Sequence, residues 1–410
     1  MPAFSEMVIA TLLSALTLPL AQAQEKPQAK TLIDPAVLQR ADGLLRTNRT
    51  MGLTGAYLPV LDPSSHAANL LELRNGDLLC VWFSGSWEGK SGVGIVVSRL
   101  KKGSRQWGPT QLIDRREGES FQNPVLFEAP DGIVHLFHTT QKADAGEANS
   151  QVLQVVSKDH GVTWSAPEVL FAKGGSFTRH PLLVLPDGAW LLPMTYVTSK
   201  GIGEGAETNY PATEISKDSG KSWTECLLPK AEGLVQPTVV ALKPGRYVSF
   251  FRSRVADWIY RSTSSDGCHW TQPEKTALPN NNASVQAFRL KDGAIVMAFD
   301  NSHTDHTGAH AVAGLRKPLS VGLSRDGGAT WSEVRDVETG RPGYGMEEQK
   351  PKEPGREEYS YPSILETGDG VIHVAFTYRR QTIKDVSFRE DWIAGGGTEG
   401  LYRPGERAAR

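Results

Sequence analysis

Six polar residues stand at the starts of otherwise apolar strands, and their chemistry suits an anionic ligand. They are His66, Asn123, Arg179, Gln236, Asn282 (with Ser284) and Tyr361. Arg252, Asp300, Asn301 and Arg379 fall at the ends of the returning strands. Guanidiniums clamp a carboxylate through paired N–H donors. A histidine titrates near neutrality and serves as base or acid. A tyrosine gives a proton, or attacks as a nucleophile once a base activates it. Packing alone does not explain six polar strand starts, although Asn123 and Gln236 also suit a water-filled channel, and His66 also suits an ordinary satisfied polar site.

The elements that position these residues repeat. Six segments run from a polar residue through an apolar strand to a turn glycine, followed by a second apolar strand. Their turns end at Gly76, Gly132, Gly188, Gly245, Gly293 and Gly370. Asn-Gly or Asp-Gly between apolar strands is a strong hairpin signal, because both turn positions take φ > 0. A second motif, S-x-D-x-G-x-[ST]-W, occurs at Ser157–Trp164, Ser216–Trp223 and Ser324–Trp331. Ser265–Trp270 is one residue shorter, and Ser98–Trp107 is degenerate. The Asp accepts turn amides, the Gly takes a left-handed conformation, and the Trp packs between units. These motifs read as structural staples on the outer rim.

The three clean copies resemble the Asp boxes, or bacterial neuraminidase repeats, of the sialidase-like superfamily. The resemblance covers roughly residues 55 to 390. It implies an all-β, six-bladed β-propeller with Asp boxes; the long interval before Gly370 leaves room for a seventh blade or a long loop over Glu338–Glu358. In such a ring the inner strands open at one mouth. Sialidases bind a sugar carboxylate with three arginines and use a Tyr nucleophile, a Glu partner and an Asp acid/base. Arg316, just before the final box, matches the third arginine, and Tyr361 matches the tyrosine. His66-Ala67-Ala68 stands in place of the first arginine motif. Asn282 stands at the Glu position and Asn301 at the second arginine. Glu88 is the only carboxylate near the usual Asp region.

That pattern resembles a branch acting on uronate-containing glycans, the rhamnosyl-glucuronate lyases and glucuronidases, where a histidine on the propeller face is the main catalytic group. The resemblance implies His66 as base or acid, Tyr361 as proton donor or orienter, and Arg179, Arg252 and Arg316 around the carboxylate. Gln236, Asn123, Asn282, Asn301, Glu88 and Arg379 are the remaining substrate-binding candidates. Trp87 and Tyr210 could stack on a sugar or pack within loops, and the Glu204–Tyr210 stretch could cover the pocket or be a solvated loop. His180 should point away from Arg179 along an alternating strand; His135, His138 and His373 read as structural. The implied function is cleavage of a terminal linkage at an acidic sugar, by elimination or by hydrolysis. An exo-α-sialidase with a rearranged site and a non-catalytic glycan-binding propeller are the alternatives.

The bulk composition agrees with a globular chain and excludes other classes. The chain has 410 residues, 39% hydrophobic and 22% charged, with net charge −2, which argues against a nucleic-acid or membrane-surface binder. Gly (41) and Pro (25) suit many tight turns. Met7–Leu20 is apolar but short for a membrane span, and Ala21-Gln22-Ala23 follows as a small-x-small cleavage site. Glu6 and the lack of Lys or Arg before it depart from the usual signal pattern. The expected organisation is a signal peptide over 1–23, a lead-in over 24–50, the propeller over 51–394 and a tail over 395–410, in a secreted or periplasmic monomer. Cys80, Cys226 and Cys268 lack metal-ligand spacing. Cys80 reads as core, and a Cys226–Cys268 bridge is left open. No metal or other cofactor is expected.

Overall fold

The structure, a computed structural model, describes residues 33–199, 205–304, 314–340 and 357–396. The expected signal peptide, the start of the expected lead-in, most of the expected long loop and most of the expected tail lie outside these residues.

Every predicted hairpin forms, but positive φ occurs at the turn glycine alone and not also at the Asn or Asp before it, where the sequence pattern predicts it too. The six turn glycines have φ between +70° and +98°. Around them the described residues form six antiparallel sheets in chain order. The inner strands of blades 1 and 2 are Ser64–Glu72 and Glu119–Glu128. Blade 3 has a broken inner edge, Ser176–Phe177 and Leu183–Val184, with Arg179 in the gap. The inner strands of blades 4, 5 and 6 are Leu234–Lys243, Gln286–Arg289 and Tyr359–Glu366.

The ring closes through the N-terminal side of the chain. Strand Leu53–Tyr57 pairs antiparallel with Thr382–Phe388, and Arg46–Asn48 adds the outermost strand of blade 6. Buried apolar side chains fall into six clusters among the described residues, five of them between two neighbouring blades and one, between blades 1 and 2, extended at the axis by Ala283 and Tyr361. One of them joins Ile383 and Ala375 of blade 6 to Trp82 and Trp107 of blade 1, so the ring is continuous. The fold is a six-bladed β-propeller; no seventh blade occurs among the described residues.

The S-x-D-x-G-x-[ST]-W segments close the turn between the third and fourth strands. In the last copy Asp326 accepts from the amides of Ala329 (3.0 Å) and Thr330 (2.9 Å), and Ser324 Oγ accepts from the Gly328 amide (2.8 Å). Gly328 has φ +80°, and a Cβ there would strike the Phe250 ring of the preceding blade. The glycine is thus required both by conformation and by close approach. Cys226 and Cys268 form a disulfide with Cα atoms 5.0 Å apart, tying the outer strand of blade 3 to the turn of blade 4. Cys80 is buried, as expected.

Candidate active site

A break in strand register aims the polar residues. In blades 1, 2, 4 and 6 the inner strand carries a bulge, at Ala67-Ala68, Asn123-Pro124, Gln236-Pro237 and Tyr361-Pro362. Ala67, Asn123, Gln236 and Tyr361 have φ of +61°, +48°, +53° and +54°. Asn282, followed by Ala283, has φ +61°. Such conformations are uncommon outside glycine, and bulges re-aim side chains next to functional sites. Asn123, Gln236 and Tyr361 consequently reach one cavity of ≈ 720 Å³. Its volume lies within the ~300–1,000 Å³ range of ligand sites.

All six blades line this cavity. Blade 1 gives Trp87 and Glu88; blade 2 gives Gln122, Asn123 and Glu147; blade 3 gives Phe177 and Thr195. Blade 4 gives Gln236, Arg252 and Arg254; blade 5 gives Arg316; blade 6 gives Glu358, Tyr361 and Arg380. Three guanidiniums surround the Tyr361 ring, those of Arg179, Arg252 and Arg316, at 5.2, 5.6 and 5.3 Å from its centroid. The Tyr361 hydroxyl accepts a short hydrogen bond from Arg252 Nη1. Burial alone would push this phenol up, but Arg252 and Arg316 outweigh it and hold the phenol below its ordinary range.

Arg252 is the site's distinctive charge. It is 2% exposed, and its hydrogen-bond partners are neutral: Asn282 Oδ1 (2.7 Å), Gln236 Oε1 (3.1 Å) and the Tyr361 hydroxyl. No carboxylate among the described residues forms an ion pair with it. A buried cation without a counter-ion is expensive. Burial draws the Arg252 guanidinium down to about 10, still charged at neutral pH. Arg316 and Arg380, by contrast, meet carboxylates. Glu358 Oε1 accepts from Arg316 Nη1 (2.6 Å) and Arg380 Nε (3.1 Å), and Glu88 Oε2 accepts from Arg380 Nη1 (2.7 Å). Asp300, buried beside Asn281, is pushed up to about 8 by desolvation, although Asn281 and Arg316 pull it down.

Several sequence candidates sit elsewhere. His66 is 0% exposed and absent from the cavity lining. It packs behind Tyr361 with ring centroids 4.2 Å apart, and its Nδ1 lies 2.7 Å from Thr377 Oγ1. Burial, with Arg380, Arg316 and Arg179, outweighs Glu358 and keeps its imidazole far below the usual range, hence neutral. The bulge explains the displacement: the residue of blade 1 equivalent to Asn123, Gln236 and Tyr361 is Ala67, and His66 precedes it.

Arg179 is also sealed in. It donates to Ser284 Oγ (3.0 Å) and to the carbonyls of Ala68, Tyr361 and Pro362, lacing four blades together at the axis. Asn282 holds Arg252 from outside the cavity, and Asn301 is buried away from it. Arg379 turns toward Asp34 (2.9 Å) and is not a lining residue, whereas its neighbour Arg380 is. Glu88, Asn123, Gln236, Arg252, Arg316 and Tyr361 do converge.

Sequence reasoning missed Arg254, Arg380, Glu358 and Glu147. Arg254 was accessible, since two residues along a strand from Arg252 the side chain returns to the same face. Glu358 stands three residues before Tyr361 in what read as a loop end. Arg379 and Arg380 both have positive φ in a tight turn, so alternation could not choose between them. Glu147 lies on a short 3-10 helix, Glu147–Asn149, which no sequence signal announced.

Comparison with known proteins agrees with this architecture. The sequence matches the BNR repeat-like domain family over residues 76–374. No curated protein matches it. Among solved structures, the Hadza microbial sialidase Hz136 aligns with a TM-score of 0.64 at 16% identity, covering 81% of this chain and 67% of that one. An intramolecular trans-sialidase from Ruminococcus gnavus aligns with a TM-score of 0.61 at 14% identity, covering 81% and 96%. A protein of unknown function from Dyadobacter fermentans aligns with a TM-score of 0.61 at 16% identity, covering 79% and 94%. At these identities the likeness is one of fold. With more than half its length matched to the family, the chain belongs to the BNR repeat-like domain family, as a divergent member of the sialidase-like superfamily.

Proposed function

We propose that this protein is a carbohydrate-cleaving enzyme acting at a terminal sugar that carries a carboxylate. The observation that carries the reading is Arg252, a buried guanidinium lining the cavity that has no carboxylate partner among the described residues. A substrate carboxylate is the anion this guanidinium can pair with, with Arg316 beside it. Tyr361, rather than His66, is the reacting group. Its lowered phenol, held by Arg252, attacks the anomeric carbon as phenolate while the aglycone departs. Water then releases the sugar and returns the phenolate. His66 backs the Tyr361 ring, and Arg179 fixes the carbonyls of Tyr361 and Pro362, so both act on geometry. The sialidases among its structural neighbours favour a glycoside substrate. The Cys226–Cys268 bridge supports maturation in an oxidising compartment, in keeping with an exported chain.

The test is turnover by the purified full-length chain. The substrates are 4-methylumbelliferyl α-sialoside, 4-methylumbelliferyl β-glucuronide, a rhamnosyl-glucuronate disaccharide and a neutral 4-methylumbelliferyl glucoside. Turnover confined to carboxylated sugars is expected, with Arg252→Ala losing about 2–5 kcal/mol in kcat/KM. Near-ultraviolet absorbance from a conjugated product would mean elimination in place of hydrolysis. Glycan binding with no turnover on any substrate would leave a binding propeller.

A further inference from the structure

We propose that Glu147 is the proton donor to the leaving-group oxygen in this cavity; the assignment rests on the reading of the site as a glycoside-cleaving centre. Phenolate attack forms a bond to the anomeric carbon and breaks the bond to the aglycone oxygen. That oxygen departs with the electron pair and needs a proton unless the aglycone is a good leaving group. The donor must line the cavity, be protonated in the resting enzyme and be free of a tight ion pair.

Of the carboxyl groups lining the cavity, only Glu147 is neither clamped by a short charge-assisted bond nor mostly exposed. Glu358 is clamped by Arg316 at 2.6 Å and by Arg380 at 3.1 Å. Glu88 is held by Arg380 at 2.7 Å. Charge-assisted bonds of this kind commit both carboxylates to arginines. Asp144 sits at the rim, bonded to Lys90 at 2.5 Å and well exposed. The Glu147 side chain makes no hydrogen bond among the described residues; the nearest cation, Arg254, stands 3.7 Å away. Burial and the negative charge of Glu88 push its carboxyl above the usual range, against the pull of Arg254 and Arg252. Gly146 precedes it with φ +84° and also lines the cavity, so the turn places Glu147 at the wall.

The cycle balances. The Glu147 proton passes to the aglycone oxygen as the phenolate takes the anomeric carbon. In the second half, the Glu147 carboxylate takes a proton from the attacking water as Tyr361 departs as phenolate. The net reaction is glycoside plus water to sugar plus alcohol.

The experiment compares two leaving groups on the same acidic sugar in full-length wild type, Glu147→Gln and Glu147→Asp. One substrate is the 4-methylumbelliferyl glycoside and the other a disaccharide with an alkyl aglycone. Glu147→Gln is expected to lower kcat/KM for the disaccharide by about 10²–10⁴-fold, while the aryl glycoside stays within about tenfold of wild type. It is also expected to remove the alkaline limb of the disaccharide pH profile, which Glu147→Asp retains. Equal losses on both substrates, or none, overturn the assignment while leaving the enzyme reading intact. A wild type inert toward every acidic glycoside sinks the enzyme reading itself and the role of Glu147 with it.

Discussion

Tyr361 shows how little sequence distance matters at the residue scale. Its hydroxyl is held from blade 4, its ring is backed by His66 of blade 1, and its carbonyl is fixed by Arg179 of blade 3. If Tyr361 reacts as phenolate, Tyr361→Phe should lower kcat by at least about 10²-fold with KM little changed. Arg252 favours the charged form of the phenol, so removing the guanidinium raises the phenol pKa. Arg252→Gln should therefore move the acidic limb of the kcat–pH profile to higher pH, whereas Arg252→Lys keeps the charge and moves it less. A limb that stays in place in both variants belongs to another group. Part of this site was legible: polar residues at strand starts named Tyr361, Gln236 and Asn123, and the end of a returning strand named Arg252, all of which line one cavity. The rest was not, because His66 and Arg179 share the polarity of a lining residue but meet buried partners on other blades. Only three dimensions distinguish a carbonyl-lacing arginine from one that faces a ligand.

At the scale of elements, hairpins were readable and bulges were not. Asn-Gly and Asp-Gly turns announce themselves because so few residues accept their dihedrals. A bulge adds one residue to a two-residue period, and from the sequence alone Ala67 and His66 are equally good choices for the aimed position. The turn motifs were legible for the same reason as the hairpins, and they carry a stability prediction. A methyl group at Gly328 would meet Phe250 at positive φ, so Gly328→Ala should cost about 1–3 kcal/mol, measured by denaturant midpoint at unchanged m. The disulfide predicts more. Its cysteines are 42 residues apart, and closing a loop of that length stabilises by about 4 kcal/mol in the chain-entropy view. Cys226→Ser with Cys268→Ser should lower Tm without changing the cavity. An undiminished Tm would mean that the contacts between blades 3 and 4 already hold this edge.

Closing a ring couples its first and last elements, and here the coupling runs through a buried polar relay as well as apolar packing. Asp385, on the strand that receives Leu53–Tyr57, accepts from Trp107 Nε1 of blade 1 at 3.2 Å, and His373 Nδ1 lies 3.1 Å from its Oδ2. Burial alone would lower the His373 imidazole, but the Asp385 charge and hydrogen bond outweigh it, with Asp369 and Glu72 adding to the pull. The net shift is upward. A histidine whose folded pKa exceeds its unfolded value of about 6.5 stabilises the fold most below that value, and the contribution fades as pH rises through the folded pKa. His373→Gln should therefore destabilise the protein most near pH 6, and the gap to wild type should narrow steadily toward pH 9. Denaturant melts at both pH values measure this directly. A gap that is constant with pH would assign His373 to packing alone and leave the seam between blades 6 and 1 to its apolar cluster and the N-terminal strands.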